Sequence, residues 1–231
     1  MEYSRDYLEW KGWHNFGTLL PFERIYFGCE LKKSGIPSSI KNVLEIGFGA
    51  GKFLAYGKEK GWNISGTELN PYLLGEARKN GFAVVERIED IADGSLDFVA
   101  AFDVLEHIAP EHLERFLALI KSKLRSGGKF LARFPNGDSP LALRNQNADP
   151  THLNFIGSGK AEYYAKALDF PLCHLSGQAA PLFCGDLKLF AYRLYSTPLK
   201  LLVEIFVRLL FFPKTKVNWT SPNLVVAFQK K

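Results

Sequence analysis

Short apolar runs alternate with longer helix-like segments from residue 42 onward, and this alternation constrains the fold more than any other feature. It is the pattern of βαβ units, in which helices connect parallel strands and cover the sheet. We therefore predict an α/β protein with a mostly parallel seven-stranded sheet and helices on both faces. The predicted strands are 43–46, 63–68, 83–86, 96–102, 129–134, 173–176 and 223–229, and the predicted helices are 52–60, 161–168 and two that begin at Pro71 and Pro110.

The chain has 231 residues, of which 47% are hydrophobic and 14% aromatic, so it can bury a sizeable core as one domain. We predict a helical N-terminal cap in 1–41, a ligand-binding half in 42–135 and a second half in 136–231 that carries an insertion at 179–220. Aromatic residues of the cap are expected to pack over the sheet; they are Trp10, Trp13, Phe16, Phe22, Tyr26 and Phe27.

Charge and cysteine content argue against several classes of function. The net charge of +5 comes from basic residues that are spread along the chain among acidic ones, so no nucleic-acid partner is predicted. Cys29, Cys173 and Cys184 form no close ligand pair, and neither a metal site nor a disulfide framework is predicted. The first residues are charged before any apolar run develops, which is unlike a secretory signal, so we expect a cytoplasmic protein.

The insertion at 179–220 contains an apolar stripe at helical spacing. Its run 201–212 is too short to span a bilayer and is interrupted by Glu204. Such a stripe usually packs in a core or forms a homodimer contact. Peripheral contact with a membrane surface is the alternative, because basic residues lie nearby; they are Lys200, Arg208, Lys214 and Lys216.

A glycine-rich turn stands where the first predicted strand ends and a helix begins. Gly47, Gly49 and Gly51 let the backbone turn tightly and let a ligand approach the peptide groups. A dinucleotide fingerprint would need glycine at position 52, which is Lys52, so pyrophosphate binding is disfavoured. Glu68 lies at the end of the second predicted strand, where a carboxylate can accept hydrogen bonds from both ribose hydroxyls. These features favour an adenosine ligand without a 2′-phosphate.

In three segments, 43–51, 66–71 and 102–108, the sequence resembles the class I S-adenosylmethionine-dependent methyltransferases. The segments occur in that family's order and spacing. The resemblance implies a Rossmann-like methyltransferase fold and S-adenosylmethionine as cofactor, with 87–89 bordering the adenine. An acidic residue that the family often places there is replaced or displaced here, where Arg87 stands. The cofactor-binding residues implied by the resemblance are Glu45, Gly47, Phe48, Gly49, Gly51, Glu68, Leu69, Ile88, Phe102 and Asp103.

The segment 135–160 follows the fifth predicted strand and is predicted to be a long polar loop at the ligand-binding end of the sheet. Its Asp-Pro-Thr-His element at 149–152 resembles methyltransferases from bacterial surface-polysaccharide and other glycan gene clusters. That resemblance implies that His152 is a catalytic base and that Asp149 orients it or the acceptor. It also implies that Arg144 contacts a sugar hydroxyl, carboxylate or phosphate.

These residues also have purely structural interpretations. Asp149 and Thr151 can organise a turn around Pro150, which would leave His152 as a structural side chain. His107, a second candidate for substrate binding, can instead line the start of the following helix. Sequence alone leaves both interpretations open.

The favoured function is O-methylation of a sugar, a glycan or another polar small molecule, because alignment plus a base would serve a hydroxyl acceptor. One alternative keeps the cofactor and methylates a quinone, lipid or secondary metabolite, which would need a dry aromatic pocket. Another is a catalytically silent protein that binds S-adenosylmethionine. A nucleic-acid methyltransferase is disfavoured, because no Asn-Pro-Pro-Tyr-type element follows the fourth strand.

Overall fold

A computed structural model of the chain describes residues 11, 13, 15–214 and 219–231. Seven strands alternate with helices in the order that the sequence predicts. The strands are β1 (Asn42–Ile46), β2 (Asn63–Thr67), β3 (Ala83–Val84), β4 (Leu96–Phe102), β5 (Leu124–Pro135), β6 (Leu172–Gly177) and β7 (Asn223–Gln229). The helices are α1 (Pro21–Lys33), α2 (Lys52–Glu59), α3 (Pro71–Lys79), α4 (Pro110–Lys123), α5 (Leu143–Asn147), α6 (Ser158–Ala167) and α7 (Leu187–Phe211).

The strands form one sheet in the order β3-β2-β1-β4-β5-β7-β6. Strands β1 to β5 pair in parallel, and β7 runs antiparallel to both of its neighbours. The predicted mostly parallel, Rossmann-like sheet of seven strands is thereby confirmed. The strand order reverses between β1 and β4, and ligands of such sheets bind in the crevice at the carboxyl ends of the strands flanking that point.

Successive residues of the central strands point to opposite faces of the sheet, so each strand contributes to two cores. In β7, Val225 and Ala227 pack on the face covered by α1, α2 and α3, whereas Val226 and Phe228 pack on the face covered by α4 and α6. Because both faces are covered, the central strands are apolar along nearly their whole length, as parallel strands usually are. These two cores hold the carboxyl ends of β1, β2 and β4 in fixed positions.

The predicted bounds of β4 and β7 are confirmed, but the prediction for β5 is wrong at its start. The sequence predicts a helix that ends at 126–128, whereas α4 ends at Lys123 and β5 begins at Leu124. Leu124 is fully buried and pairs with Leu96 of β4, so burial of its side chain draws the strand five residues upstream. The predicted polar loop at 135–160 contains the short α5 and the start of α6.

Helix α7 fills most of the predicted insertion, and its surface is largely exposed. Along its 25 residues only Ser196 and Glu204 are buried. The Glu204 carboxylate accepts hydrogen bonds from the main-chain amides of Trp219 (2.9 Å) and Thr220 (3.0 Å), which ties the helix to the segment before β7. Within the described residues, no helix is long and apolar enough to cross a membrane. The predicted homodimer and membrane contacts stay predictions, and Lys216 lies outside the described residues.

The N-terminal aromatic residues divide between the core and the ligand-binding end of the sheet. Phe27 of α1 is buried against Phe53, with ring centroids 5.1 Å apart, and Phe16 packs edge-on to Phe48 at 5.9 Å. Trp13 lies over the glycine turn instead. Trp10 lies outside the described residues, as does most of the N-terminal part of the predicted cap.

Candidate active site

The turn between β1 and α2 requires glycine at three positions. Gly47, Gly49 and Gly51 all have positive φ angles, of 66°, 49° and 70°. A Cβ atom on Gly47 would lie 2.6 Å from Cγ2 of Val104, and one on Gly51 would lie 2.5 Å from the ring of Phe16. Larger residues would therefore be both strained and obstructed. The backbone can curl at the carboxyl end of β1 and leave space beside it.

That space is a cavity of about 460 Å³ bounded by the ends of β1, β2 and β4. The segment 86–89 forms one wall, and it includes the residues predicted to border the adenine. His112 and Phe116 of α4 form part of another wall. Five of the predicted cofactor-binding residues line this cavity: Gly47, Glu68, Leu69, Ile88 and Asp103.

The Glu68 carboxylate is held in place by main-chain donors. It accepts hydrogen bonds from the amides of Leu69 (2.8 Å) and Asn70 (3.2 Å), and from the amide of Gly49 (3.1 Å) across the glycine turn. A carboxylate oxygen has more than one lone-pair site, so these bonds leave Glu68 able to accept from a ligand. The group is thus fixed on the cavity wall before a ribose arrives.

Glu45 of β1 is buried, and its Oε2 atom has no hydrogen-bond partner. Burial raises the pKa of this carboxyl group well above its usual range, and the nearby Glu68 adds to the effect. Glu45 lines a second cavity of about 590 Å³, which adjoins the first. An ammonium group, such as that on the methionine end of S-adenosylmethionine, would satisfy the unpartnered oxygen. The site therefore fits a cofactor with ribose hydroxyls at one end and an ammonium at the other.

The two cavities meet at four shared residues, which are Trp13, Gly47, Asp103 and His107. The second cavity combines aromatic walls with charged groups. Phe48, Gly49 and Phe102, which the sequence assigns to the cofactor, line it together with Glu45. Gly51 lines neither cavity. It is buried at the start of α2, where it packs against the ring of Phe16.

An ion pair crosses the floor of the second cavity. Nε of Arg133, on β5, donates to Oδ1 of Asp103 at 3.1 Å, and a second guanidinium nitrogen pairs with Oδ2. Nη1 of Arg133 donates to the Tyr26 hydroxyl at 2.9 Å, and the guanidinium lies 5.3 Å from the centre of the Phe102 ring. Burial opposes the positive charge, but Asp103 and Tyr26 together raise the pKa of Arg133 above its usual value. Asp103 itself has a positive φ angle of 57°.

A chain of polar groups extends behind His107. Its Nδ1 atom lies 3.2 Å from the carbonyl oxygen of Thr151 and 2.9 Å from the hydroxyl oxygen. That hydroxyl donates to Asp149 at 2.6 Å, and Lys11 forms an ion pair with the same carboxylate at 2.7 Å. Burial disfavours the negative charge of Asp149, but Lys11 and Thr151 hold its pKa below the usual range. Burial, and next the nearby His152, lower the pKa of His107.

His152 and Glu106 lie deeper than His107. The His152 ring packs edge-on against the His107 ring at 4.8 Å between centroids, and its Nδ1 lies 2.9 Å from the Gln146 carbonyl oxygen. Its Nε2 is 4.0 Å from both Oε1 of Glu106 and Oδ2 of Asp149. Burial, with the Asp103 charge as the second cause, raises the pKa of Glu106 to about 8.

The acceptor-side residues predicted from sequence therefore occupy different depths. His107 lines both cavities, whereas His152 and Asp149 stand behind it and are not among the lining residues. Arg144 is exposed on α5 and lines neither cavity, so its predicted contact with the acceptor stays a prediction. Sequence reasoning missed Trp13 and Arg133 as parts of the site. The aromatic clustering near the N-terminus was the only signal for Trp13, and a lone arginine on a buried strand was the signal for Arg133.

Comparison with known proteins agrees with this geometry. Residues 44–132, which are less than half of the chain, match a protein family described as a methyltransferase domain. No curated protein matches the sequence significantly. An Archaeoglobus fulgidus S-adenosylmethionine-dependent methyltransferase is similar in structure, with 19% identity, a TM-score of 0.65, and coverage of 90% of this chain and 94% of that one.

Two further solved structures share the fold. A Thermotoga maritima methyltransferase described as a possible histamine N-methyltransferase has 15% identity and a TM-score of 0.60, with 99% of this chain and 98% of that chain covered. The Haemonchus contortus phospholethanolamine N-methyltransferase 2, solved with phosphomonomethylethanolamine and S-adenosylhomocysteine, has 20% identity and a TM-score of 0.55. This match covers 87% of the present chain and 52% of the other.

The domain match, the strand order and the cofactor cavity agree with one another. The chain carries a methyltransferase domain at 44–132 and has the fold of the solved S-adenosylmethionine-dependent methyltransferases, and its cavity fits S-adenosylmethionine as cofactor.

Proposed function

We propose that the protein transfers the methyl group of S-adenosylmethionine to a hydroxyl group of a polar small molecule, such as a sugar or a glycan unit. The acceptor would occupy the second cavity, and its hydroxyl would face His107. The observation that carries this proposal is the position of His107, which lines the cofactor cavity and the second cavity at their junction.

The chemistry at that junction suits a hydroxyl acceptor. A sulfonium methyl group is displaced in line, so the acceptor oxygen must be aligned with it and water excluded. Nδ1 of His107 can donate its hydrogen to the Thr151 carbonyl, which can only accept. The neutral ring then carries its lone pair on Nε2. An imidazole in that state can receive or help to remove the hydroxyl proton.

The walls of the second cavity support a polar acceptor over a dry aromatic one. Lys11, Lys52 and Arg193 bring cationic groups to the cavity. Aromatic side chains such as Phe22 and Tyr26 supply flat faces beside them. Charged donors next to aromatic faces suit a ring that has apolar faces and polar edges, which is the chemistry of a sugar.

The test is a screen with labelled S-adenosylmethionine against free sugars, nucleotide-activated sugars and a polyprenylated catechol. We expect label on a sugar hydroxyl. On that acceptor, His107→Ala should lower kcat by about 10²–10⁴, the usual contribution of a general base. His152→Ala tests the sequence-based assignment of the base to that residue in the same assay.

His174→Ala is the matched control, because His174 is a half-buried histidine on β6 that bonds Ser176 at 2.8 Å and lines neither cavity. Binding of S-adenosylhomocysteine, measured by calorimetry, should stay within a few-fold of wild type in all three variants. Methylation of the catechol alone, or an unchanged kcat in His107→Ala, would overturn the proposal.

For the exposed helix α7 we propose contact with an anionic membrane surface, in preference to a homodimer. Lys188 and Lys200 are exposed among the apolar residues of the helix, and Arg193 lines the second cavity. The one acidic residue of the helix, Glu204, is buried and bonded to the segment before β7. The exposed charge of the helix is therefore entirely positive. An apolar surface with only positive charges fits a leaflet of anionic lipids, whereas two copies of it would repel each other.

A further inference from the structure

Glu106 carries a buried carboxyl group whose side-chain oxygens make no hydrogen bond within the described part of the chain. The residue is 1% exposed, and neither Oε1 nor Oε2 has a hydrogen-bond partner. Its backbone carbonyl, in contrast, accepts from the amides of Leu153 (2.8 Å) and Asn154 (3.0 Å), so the residue is firmly placed. Buried carboxylates without partners are costly, and they usually belong to a pair or to a metal site.

Two histidines face this carboxylate with their hydrogens already committed elsewhere. Nδ1 of His107 lies within hydrogen-bonding distance of the Thr151 carbonyl, and Nδ1 of His152 within that of the Gln146 carbonyl. A carbonyl can only accept, so in each neutral ring the hydrogen is on Nδ1 and the lone pair on Nε2. This is the arrangement in which metal-binding histidines are usually held, with the second nitrogen bonded to a carbonyl or carboxylate.

The three side chains converge on one point. One possible ligand atom from each of Glu106, His107 and His152 lies within 4.8 Å of those from the other two. Ligands that share one divalent ion with metal–ligand distances near 2.1 Å are about 3–4 Å apart, so small side-chain rotations would close the set. Asp149, with Oδ2 4.0 Å from Nε2 of His152, borders the same point.

We propose that Glu106, His107 and His152 bind one divalent transition-metal ion of the Mn²⁺, Fe²⁺ or Zn²⁺ type. Two imidazoles and a carboxylate suit these ions better than Mg²⁺ or Ca²⁺, which prefer oxygen ligands alone. Because His107 lines both cavities, the ion lies beside the junction of donor and acceptor sites. The sequence does not indicate this set, since 44 residues lie between His107 and His152.

A bound ion would also determine which acceptor groups can bind at the site. This extension of the proposal rests on the proposed O-methylation. A hydroxyl bound to a divalent ion loses its proton far more readily than a free one. With the ion bound, His107 would therefore hold the ion instead of taking the hydroxyl proton itself. The proton leaves to solvent, the alkoxide oxygen forms a bond to the methyl carbon, and the carbon–sulfur bond breaks to release S-adenosylhomocysteine. An acceptor with two adjacent hydroxyls would chelate the ion, which favours a vicinal diol.

The experiment measures metal binding without any acceptor. Chelator-treated full-length protein is titrated with MnCl₂ by calorimetry and electron paramagnetic resonance, and with ZnCl₂ by calorimetry. We expect one ion per chain. Glu106→Gln and His152→Asn should each weaken Mn²⁺ binding at least about tenfold, whereas the control His174→Asn should bind as wild type does. Retained binding of S-adenosylhomocysteine shows that each variant is folded.

Because metal binding is measured without an acceptor, its result tests the metal site independently of the proposed function. One ion per chain whose affinity falls in both variants supports the metal site even if no sugar is methylated. Absence of stoichiometric Mn²⁺ and Zn²⁺ binding to wild type overturns the site, even if a sugar hydroxyl is methylated. Unchanged affinity in both Glu106→Gln and His152→Asn overturns it as well, because the ion would then be held elsewhere.

Discussion

The sheet and helix α7 are both rich in apolar residues, but they use them in opposite ways. In the central strands these side chains are fully buried, as with Phe98, Phe130 and Phe134. In α7 they point outward, and Leu187, Phe206 and Leu209 are all more than half exposed. Apolar content alone therefore does not distinguish a core from a surface in this chain. What distinguishes them is whether a second layer covers the element, and only the sheet is covered on both faces.

The sheet and α7 therefore have different roles in the protein. Burial of the strands fixes the glycine turn, Glu68 and Asp103 at the end of the sheet, so the cofactor site depends on the core. Exposed apolar surface on the scale of α7 marks an interaction surface rather than a contribution to folding. The two regions should therefore respond differently to the same substitution.

The largest expected effect is on stability in the sheet. Phe130→Ala removes a ring that is fully buried and stacked on Phe228, so it should lower the free energy of unfolding by about 3–5 kcal/mol. Phe206→Ala is the matched change in α7, where the ring is 61% exposed, and should cost less than about 0.5 kcal/mol. Urea denaturation followed by circular dichroism measures both. Equal losses of unfolding free energy in the two variants would show that Phe206 is covered and that the contrast between α7 and the sheet is wrong.

A smaller effect is expected when the core is left intact and one wall of the cofactor cavity changes. Glu68→Ala should weaken binding of S-adenosylhomocysteine by about 2–3 kcal/mol, because charged acceptors make the stronger hydrogen bonds to hydroxyls. Calorimetry gives the affinity, and Glu59→Ala, which removes an exposed carboxylate paired with Arg24, is the control. Unfolding must be followed in the same samples, since Glu68 also accepts from three main-chain amides. Wild-type affinity in Glu68→Ala would exclude the ribose role.

The smallest expected effect concerns the proposed membrane contact of α7. Lys200 is exposed among the apolar residues of the helix, so Lys200→Ala should reduce partition onto vesicles of phosphatidylserine and phosphatidylcholine by about 1 kcal/mol, or roughly fivefold. Lys79→Ala is the control, because it removes an equal charge from α3, far from α7 in the chain. It should change the partition onto vesicles less than Lys200→Ala does. Equal binding to vesicles of phosphatidylcholine alone, or no binding to either, would contradict an anionic membrane as the partner.

Sequence reasoning succeeded where a local pattern determines the structure. The glycine turn, Glu68 and strands β4 and β7 follow from short segments whose periodicity or turn chemistry has one good solution. It erred at the start of β5, because the Ser-Gly-Gly run at 126–128 resembles a helix stop and the pairing of Leu124 with Leu96 is not a local property. Long-range pairing of this kind is set by the packed sheet.

The acceptor side was harder to predict for the same reason. Sequence pointed to the individual residues His107, Asp149 and His152, but not to their depths. The depth of His152 depends on how the segment after β5 folds back, with the Leu153 amide bonded to the Glu106 carbonyl. That contact joins positions far apart in the chain, and nothing in either segment alone encodes it. The importance of Glu106 emerges only once its surroundings are known.

Trp13 has a consequence for where the functional unit begins. It lines both cavities and lies about 3 Å from the position of a Cβ atom on Gly49, although it precedes the first strand of the sheet by some thirty residues. A ligand in either cavity therefore touches the N-terminal segment as well as the sheet, and binding and docking of that segment are thermodynamically linked. Deletion of the residues that precede Phe16 would remove Trp13 and with it part of the binding surface. A bound ligand would in turn protect the bond on either side of Trp13 from proteases.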